Sequence, residues 1–383
     1  MNREGEFCGF LHHNLPPMSR SLYKDTLDFF KRCSKHEVKG NHLRRLKVLS
    51  SMVVCCAQTR SSSLSSLGSG SAMDIRQSES RIKQAKRWLS SKWTDWDSFF
   101  APYIHTLLLQ LAKSGELVLV IDGSQTAQGC CTLMLSVIWK KYAIPVVWLT
   151  KEAPKGHFSD ELHTDLVSQF HQFFHSQQPC RIVLLGDGEF DGSLLRNFCQ
   201  RQNWEYVLRT SVDRQIDFNG EVGRIDALLP LLQSQESIFI EHACLGSHAV
   251  LWKGKNFQDP IAILTNMELG PMACQYYRRR FKIETMFKQF KSAGFQLQKS
   301  RLGQPVRVQN LIIVVAIAFI FTFCIGLLLK EQNHKAIAPF LRVDSINKMS
   351  PITIAQKAIA HHSDIAYYIF SMLSKNFENF FST

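Results

Sequence analysis

The 11 cysteines of this 383-residue chain include no C-x-x-C pair, which excludes the common zinc-finger and thioredoxin-type motifs. No Walker A loop is present, and Gly186-x-Gly188-x-x-x-Gly192 places its third glycine one residue late for a dinucleotide loop, so no nucleotide cofactor is expected. An apolar leader is also missing: residues 1–20 are polar, carry His12-His13 and are broken by Pro16-Pro17, which argues against a signal peptide and leaves Met18 as an alternative start. Cysteines in apolar runs, such as Cys324, and the adjacent pairs Cys55-Cys56 and Cys130-Cys131 read as reduced packing residues of an intracellular protein. His171 and His175 lie four apart without an evident third ligand, and read as solvent-facing side chains rather than a zinc site. The doublets His12-His13 and His361-His362 lack the hydrophobic residue normally found between two metal-binding histidines.

Acidic side chains are scarce. Lys and Arg number 45 against 32 Asp and Glu, a net charge of +13, and an excess of that size favours a polyanionic partner such as nucleic acid. The excess is concentrated: residues 1–100 hold 17 basic and 9 acidic side chains, and residues 276–310 hold 9 and 1. The rest of the chain is slightly acidic. Two basic surfaces on a near-neutral body suggest two DNA contacts.

Residues 1–113 read as a basic helical region suited to DNA binding. Leu22 to Val54 is amphipathic, Ser61 to Ser71 is rich in Ser and Gly, and Ser80 to Trp93 is again helical. A plain solvated helical cap would show the same charges. Beyond Glu116 the pattern alternates. Leu117 to Ile121, Thr132 to Trp139 and Ile144 to Leu149 are strand-like, Asp160 to Phe174 is helical, Arg181 to Leu185 is a strand, Gly192 to Gln202 a helix and Glu205 to Leu208 a fifth strand. That order predicts an α/β protein with a ribonuclease H-like core, whose first part spans residues 114–215. Asp122 and Asp187 stand just past two of the central strands. Three more strand-like runs, Ser237 to Cys244, Ser247 to Trp252 and Pro260 to Asn266, predict a β-rich insertion over 216–270. The core then closes over 271–330, with one basic helix from Cys274 to Ala293, and a helical tail occupies 331–383.

On a continuous helix, Tyr277, Arg280, Glu284 and Lys291, at offsets 0, 3, 7 and 14, fall within roughly 60° of one another and form one stripe. A lone Glu among basic residues stays ionised; it could form a surface ion pair or bind a cation. The spacing Tyr277-x-x-Arg280-x-x-x-Glu284-x-x-x-x-x-x-Lys291 resembles the Y-R-E-K signature of DDE transposases of bacterial insertion sequences, in the group named after the fourth insertion sequence. Ile121-Asp122-Gly123-Ser124 resembles that family's first catalytic motif, and Leu185-Gly186-Asp187-Gly188-Glu189-Phe190 its second. Trp204 to Thr210 resembles the strand that follows. The likeness spans about Ser114 to Leu302, with one departure: Gly188 stands where the family often has Arg.

The resemblance implies a transposase that binds the ends of its own element and catalyses metal-dependent DNA cleavage and strand transfer. Asp122, Asp187 and Glu284 would hold two Mg2+ ions, with Mn2+ an acceptable substitute. Arg280 and Lys291 would grip phosphates near the cut, with Tyr277 beside them. In that family a hairpin intermediate can form and an aromatic of the β insertion receives a flipped base; Trp252 is the candidate here, although a core role is the commoner one for a Trp. The implied partners are inverted-repeat ends and target DNA, with a homodimer in the synaptic complex, in a bacterial cytoplasm at the nucleoid. A catalytically inactive DNA-binding remnant would share most of these features.

Leu311 to Leu329 is a 19-residue run without a charge, long enough for a membrane span, and a membrane-associated protein is the rival it supports. The same run suits a helix buried on all sides in a large protein. It follows the basic helix by only about 20 residues, too few to leave that helix free to clamp DNA at a bilayer, so a buried helix and no membrane are expected.

Overall fold

The computed structural model describes residues 18–35, 37–69, 77–153, 158–175, 179–218, 220–233, 236–244, 246–255, 257–332, 348–361, 369 and 371–373. His12-His13, Pro16-Pro17, His362 and most of the expected C-terminal tail lie outside them. The chain divides into two compact units. One gathers Met1–Arg60, Leu64–Trp88 and Ile317–Phe377; the other comprises Ser61–Ser63, Leu89–Ala316 and Glu378–Thr383. Residues 89–113 of the expected N-terminal region thus fall in the second unit, and residues 348–361 of the expected 331–383 tail fall in the first.

In the first unit, helices α1 (Met18–Cys33), α2 (Gly40–Thr59), α3 (Leu64–Ser69) and α4 (Ser78–Leu89, all but its last residue) supply apolar faces. Leu22, Leu27, Phe29 and Phe30 of α1 are buried, as is the run Leu49 to Ala57 of α2. Trp88 donates its indole N–H to the Arg45 carbonyl at 3.2 Å, tying α4 to α2. The apolar run of the sequence lies within one 28-residue helix, α11 (Pro305–Gln332). Its most hydropathic window is buried throughout. Packing explains this: Phe321 meets Phe29 edge-on at 5.3 Å, and at Gly326 the chain of α12 (Pro351–Ala360) comes so near that an added Cβ would lie 1.8 Å from the Pro351 carbonyl oxygen. All-round apolarity here serves contact with protein on every side.

The second unit is built on an eight-stranded mixed sheet of order β3-β2-β1-β4-β5-β10-β9-β8. Its strands are β1 (Glu116–Ala127), β2 (Cys130–Trp139), β3 (Tyr142–Glu152), β4 (Arg181–Gly186), β5 (Glu205–Thr210), β8 (Ser237–Cys244), β9 (Ser247–Trp252) and β10 (Ile261–Thr265). β1, β2 and β3 form an antiparallel meander; β1, β4 and β5 run parallel, joined through α7 (Asp160–Phe173) and α8 (Ser193–Arg201). The near-continuous apolar character of β1, β2 and β4 follows from their burial. Helices α5 (Trp96–Phe99) and α6 (Ala101–Ala112) also belong to this unit: the Trp96 indole donates to the Val146 carbonyl at 2.9 Å, and Phe100 meets Trp148 edge-on at 4.8 Å.

Three expectations are corrected. The strand through Asp122 does not end there; β1 continues to Ala127, because the β1–β2 hairpin pairs Asp122 with Met134 and Ser124 with Thr132. The three later strands are not a module apart. β10 pairs antiparallel with β5, from Ala262 opposite Thr210 to Thr265 opposite Val207, so they extend the main sheet and cover what would otherwise be an exposed edge. Among the described residues, only the hairpin of β6 (Gln215–Phe218) and β7 (Glu221–Arg224) stands as a separate sheet. With the 3-10 turn Ile225–Leu231, it packs Ile216 and Ile225 against Ile240, Leu251 and Leu264. Third, the expected single helix from Cys274 to Ala293 is α9 (Gly270–Arg279), α10 (Lys282–Lys288) and a π turn, Gln289–Ala293.

The close approach at Gly326 yields a test of the buried helix. Gly326→Ala forces the helices apart and is expected to cost about 1–3 kcal/mol, read as a lower thermal midpoint of the purified chain; an unchanged midpoint would show that α12 does not press on α11 there.

Candidate active site

Sheet register brings the first two carboxylates together. In the parallel pair, Val120 stands opposite Leu185. Asp122 and Asp187 each lie two residues further on, so they emerge side by side where β1 and β4 diverge, on neighbouring strands about 4.8 Å apart. Gly186 is needed at that point: an added Cβ would stand 2.7 Å from the Phe190 Cβ. The turn that follows is held by the Glu189 N–H, which donates to Asp187 Oδ1 at 3.1 Å, and by the Phe190 N–H, which donates to the Asp187 carbonyl.

The third carboxylate arrives on α10. Met286 and Phe287 bury one side of that helix, and the Ser136 hydroxyl on β2 donates to Met286 Sδ at 3.6 Å. Glu284 is left on the outer side with 53% of its side chain exposed. Between α9 and α10 the helical ladder tightens: the Arg280 N–H bonds to the Tyr277 carbonyl and the Ile283 N–H to the Arg280 carbonyl, both three-residue steps. This kink sets Arg280 inward. Its side chain is 6% exposed, with Nη2 2.8 Å from Glu284 Oε1 and Nη1 3.9 Å from Asp187 Oδ2. The guanidinium also lies over the Phe281 ring at 4.4 Å and the Tyr277 ring at 5.6 Å. Tyr277 itself is buried, and burial pushes its hydroxyl above the ordinary tyrosine range.

Past α10 the π turn widens the helix, with the Gly294 N–H reaching the Gln289 carbonyl. Lys291 leaves this turn toward β1, where its Nζ donates to Ser124 Oγ at 3.0 Å. Ser124 is two residues from Asp122 and so points to the same face. Asp122, Asp187, Arg280, Glu284 and Lys291 are therefore brought to one place; the stripe expected on a straight helix is assembled across a kink and a π turn instead.

Trp252 is not presented for stacking. It lies in β9 with 3% exposure, with Phe257 edge-on at 5.1 Å and the Arg278 guanidinium over its ring at 4.9 Å. A buried indole at the end of a paired strand is a packing residue, the commoner of the two roles the sequence left open, and the stacking role is not supported. Through Phe257 and Phe281 it adjoins the pocket of Arg280.

Supports for the site that the sequence reading did not single out include Asp160, Arg181, His163 and Glu189. The Glu189 Oε1 accepts from the Phe158 N–H at 2.7 Å and lies 3.6 Å from the buried ring of His163. Asp160 accepts from the Leu194 N–H, and Gly192 has room for no side chain because an added Cβ would meet the Asp160 carboxylate at 2.3 Å. Arg181 at the start of β4 pairs with Glu116 and Glu205 and donates to the Tyr276 hydroxyl, fixing α9 to the far end of the sheet. A second carboxylate two residues after Asp187 was legible in the motif; its partners were not.

Electrostatics follow from this crowding. Burial, then the charges of Asp187 and Glu284, push the Asp122 carboxyl up to about 7, against the opposing pull of Arg280. Burial works against the charge on Arg280, but Tyr277, Asp187, Glu284 and Asp122 outweigh it and hold the guanidinium above its usual range. Among the described residues, no three His, Cys, Asp or Glu side chains stand close enough to hold one metal ion. The donor chemistry nevertheless fits a hard divalent cation. All three donors are carboxylates, and burial, then the neighbouring charges of Asp187 and Glu284, disfavours the charged form of Asp122, which added positive charge would favour.

Residues 146–321 match the transposase DDE domain model. The match takes in Asp187 and Glu284 and a little under half the chain; Asp122 precedes it. No curated protein matches the chain. Similar solved structures include a piggyBac transposase synaptic complex with hairpin DNA, at 11% identity and a TM-score of 0.43, covering 92% of this chain and 80% of that one. Aquifex aeolicus Argonaute is 10% identical over 51% of this chain and 28% of its own, with a TM-score of 0.24. Human ENDOV is 15% identical over 55% and 88% respectively, with a TM-score of 0.25.

Two predictions follow from the geometry around the DDE-domain match. Burial pushes the Asp122 carboxyl up from its ordinary 3.8 to about 7, so folding is favoured by the proton and loses stability as pH rises from about 4 through 7. Asp122→Asn removes this dependence. In EDTA its stability relative to wild type is expected to rise by roughly 2–4 kcal/mol between pH 4 and 8, measured by urea unfolding at each pH; a flat difference would contradict the burial of that charge. Trp252→Ala is expected to cost about 3–5 kcal/mol and to lower the thermal midpoint accordingly. A midpoint within a degree of wild type would return Trp252 to the surface.

Proposed function

We propose that this chain is a transposase that binds the ends of its own element and cuts and joins DNA at a carboxylate centre made by Asp122, Asp187 and Glu284. One observation carries the reading: parallel register sets Asp122 beside Asp187, and α10 brings Glu284 to them, with the last two inside the stretch matching the transposase DDE domain. The strand order β3-β2-β1-β4-β5, antiparallel then parallel, supports a ribonuclease H-like core, and the Tyr277, Arg280, Glu284 and Lys291 spacing supports the insertion-sequence group named after the fourth element.

Asp122, Asp187 and Glu284 would hold two divalent cations, Mg2+ or Mn2+, which when bound supply activation of the attacking oxygen and stabilisation of the leaving one. The protein's own groups do the rest. Buried Asp122 is the carboxylate most in need of neutralisation. Lys291, hydrogen-bonded only to the neutral Ser124 hydroxyl in the described contacts and partly exposed, can exchange that bond for a phosphate oxygen beside the carboxylates. The exposed basic residues Arg278, Lys288, Lys299 and Arg301 continue the positive surface. On this reading the substrates are paired inverted-repeat ends and target DNA, the working species is a homodimer, and the place of action is the bacterial nucleoid. With Trp252 in the core, any hairpin step would draw on another residue for the displaced base.

The deciding experiment incubates the purified chain with a DNA fragment carrying the sequence that flanks its gene, with Mg2+ or with EDTA. Asp122→Asn, Asp187→Asn and Glu284→Gln should each abolish strand cleavage while leaving end binding in place. Cleavage near the wild-type rate in any one of them would remove that residue from the centre, and a wild-type chain that neither binds nor cuts such DNA would sink the reading. Separately, Lys291→Ala should lower the slope of log affinity against log salt by about 1 with little change in sequence preference; an unchanged slope would take Lys291 away from the backbone.

A further inference from the structure

We propose that Glu189 is a positioning residue for Asp187: its carboxylate, held from behind by the Phe158 amide and the buried ring of His163, fixes the turn that presents Asp187. The inference rests on the reading of Asp187 as a carboxylate of the DNA-cutting centre, and it gives Glu189 a part in that centre without contact with DNA.

The turn itself is lightly held. Asp187 Oδ1 accepts from the Glu189 N–H at 3.1 Å, and the Asp187 carbonyl accepts from the Phe190 N–H at 3.1 Å. Such a side-chain-to-backbone turn orients the carboxylate only as firmly as residue 189 is fixed. Gly188 adds no packing, since a Cβ there would meet nothing within 4 Å. The hold comes from the Glu189 side chain. Its Oε1 accepts from the Phe158 N–H at 2.7 Å, just ahead of α7, and a charged acceptor makes such a bond short and strong. Gly123 follows Asp122 on β1 and so faces the opposite side of the sheet; a Cβ there would lie 3.3 Å from the Phe158 ring and 4.0 Å from Glu189 Oε2. The Glu189 carboxylate thus sits behind β1, away from the face that carries Asp122 and Ser124, and joins β1, the turn after β4 and the start of α7.

His163 supplies the second observation. The buried positions of α7 are His163, Leu166, Val167 and Phe170, and among them the imidazole is the polar exception. It is 2% exposed, and neither ring nitrogen has a hydrogen-bond partner among the described residues. Packing alone would favour an apolar side chain there, because a buried polar group without a partner costs free energy. What the ring meets accounts for it: the Phe190 ring, with centroids 4.6 Å apart, and Glu189 Oε1, 3.6 Å from Nε2. The imidazole therefore leans on both residues whose amides close the Asp187 turn. Glu189 acts through its hydrogen bonds and its backbone, on the side of the sheet that faces α7, and not as a fourth carboxylate on the reacting face.

The test measures three things on the full chain: strand cleavage over a range of DNA concentrations, hydrogen exchange of the Glu189 and Phe190 amides, and the thermal midpoint. Glu189→Ala is expected to lower the rate at saturating DNA roughly a hundredfold, the order of effect of a displacement of about 1 Å at a reacting group. The half-saturating DNA concentration should change little, and both amides should exchange faster. Glu189→Gln keeps an oxygen for the Phe158 N–H and should recover most of the rate and of the protection. His163→Phe suits its buried place, so the midpoint should not fall, yet the rate should. Glu189→Gln as slow as Glu189→Ala overturns the inference, because negative charge and not the hydrogen bond would then be the active feature. A wild-type rate in His163→Phe overturns it too, as does a Glu189→Ala chain that slows only in proportion to its unfolded fraction. Should Glu189→Ala not fold, Glu189→Gln and His163→Phe decide by the same criteria. A wild-type chain that cuts no DNA removes the reading beneath, and exchange then decides the positioning alone: faster exchange of the two amides in His163→Phe supports it, and unchanged exchange overturns it.

Discussion

Three carboxylates at the mouth of a parallel strand pair repel one another, and containing that repulsion is the constraint on which the rest of the site depends. Asp122 bears most of it, being the most enclosed and lying against the charges of Asp187 and Glu284. Two features of the fold make the arrangement tolerable. Arg280 reaches in from the α9–α10 kink to pair with two of the three, and α10 leaves Glu284 toward solvent, so the cluster is open on one side. Neither would exist on the straight basic helix that the spacing suggests. Tightened steps at Arg280 turn that side chain into the protein, and the π turn at Gln289–Ala293 carries Lys291 back toward β1. Departures from ideal helix geometry thus set the positions of Arg280 and Lys291.

The sheet has an equivalent division of labour. Its parallel centre, β1, β4 and β5, holds the two aspartates, while the antiparallel strands on either side are scaffolding. The β1–β2 hairpin extends the strand beyond Asp122, so that Ser124 can receive Lys291; β10, β9 and β8 close the opposite side and carry Trp252 into an aromatic chain with Phe257 and Phe281, ending on Arg280. The segment between the second aspartate and the glutamate thereby buttresses the arginine that faces both.

The order of elements in this unit was legible because buried strands and amphipathic helices differ in period, and Asp122, Asp187 and Glu284 stood out through the motifs around them more than through their places at the ends of apolar runs, since β1 continues past Asp122. The apolar run of α11 was legible as a helix too, and its length alone could not separate a bilayer from a protein interior; Phe321 against Phe29 and the contact at Gly326 did. What the sequence lacked was context. For Trp252 the sequence left both a stacking and a core role open, the core role being the commoner, and strand pairing on β9 with Arg278 over the ring places it out of solvent. The later strands looked separate because Gly and Pro signals divide them from the core in sequence, and pairing of β10 with β5 joins them in space.

The sequence by itself determined which residues carry charge, how they are spaced and which segments must be buried, since period, composition and local propensity are properties of neighbours along the chain. Tertiary structure alone decided who meets whom. Register between β1 and β4 set Asp122 beside Asp187, the kink at Arg280 chose carboxylates over solvent for its guanidinium, and the π turn delivered Lys291 to Ser124. Apart from the local Arg280–Glu284 pair, four residues apart, those outcomes depend on pairing and packing between segments more than sixty residues apart, and no local pattern encodes the distance or direction at which such segments come together.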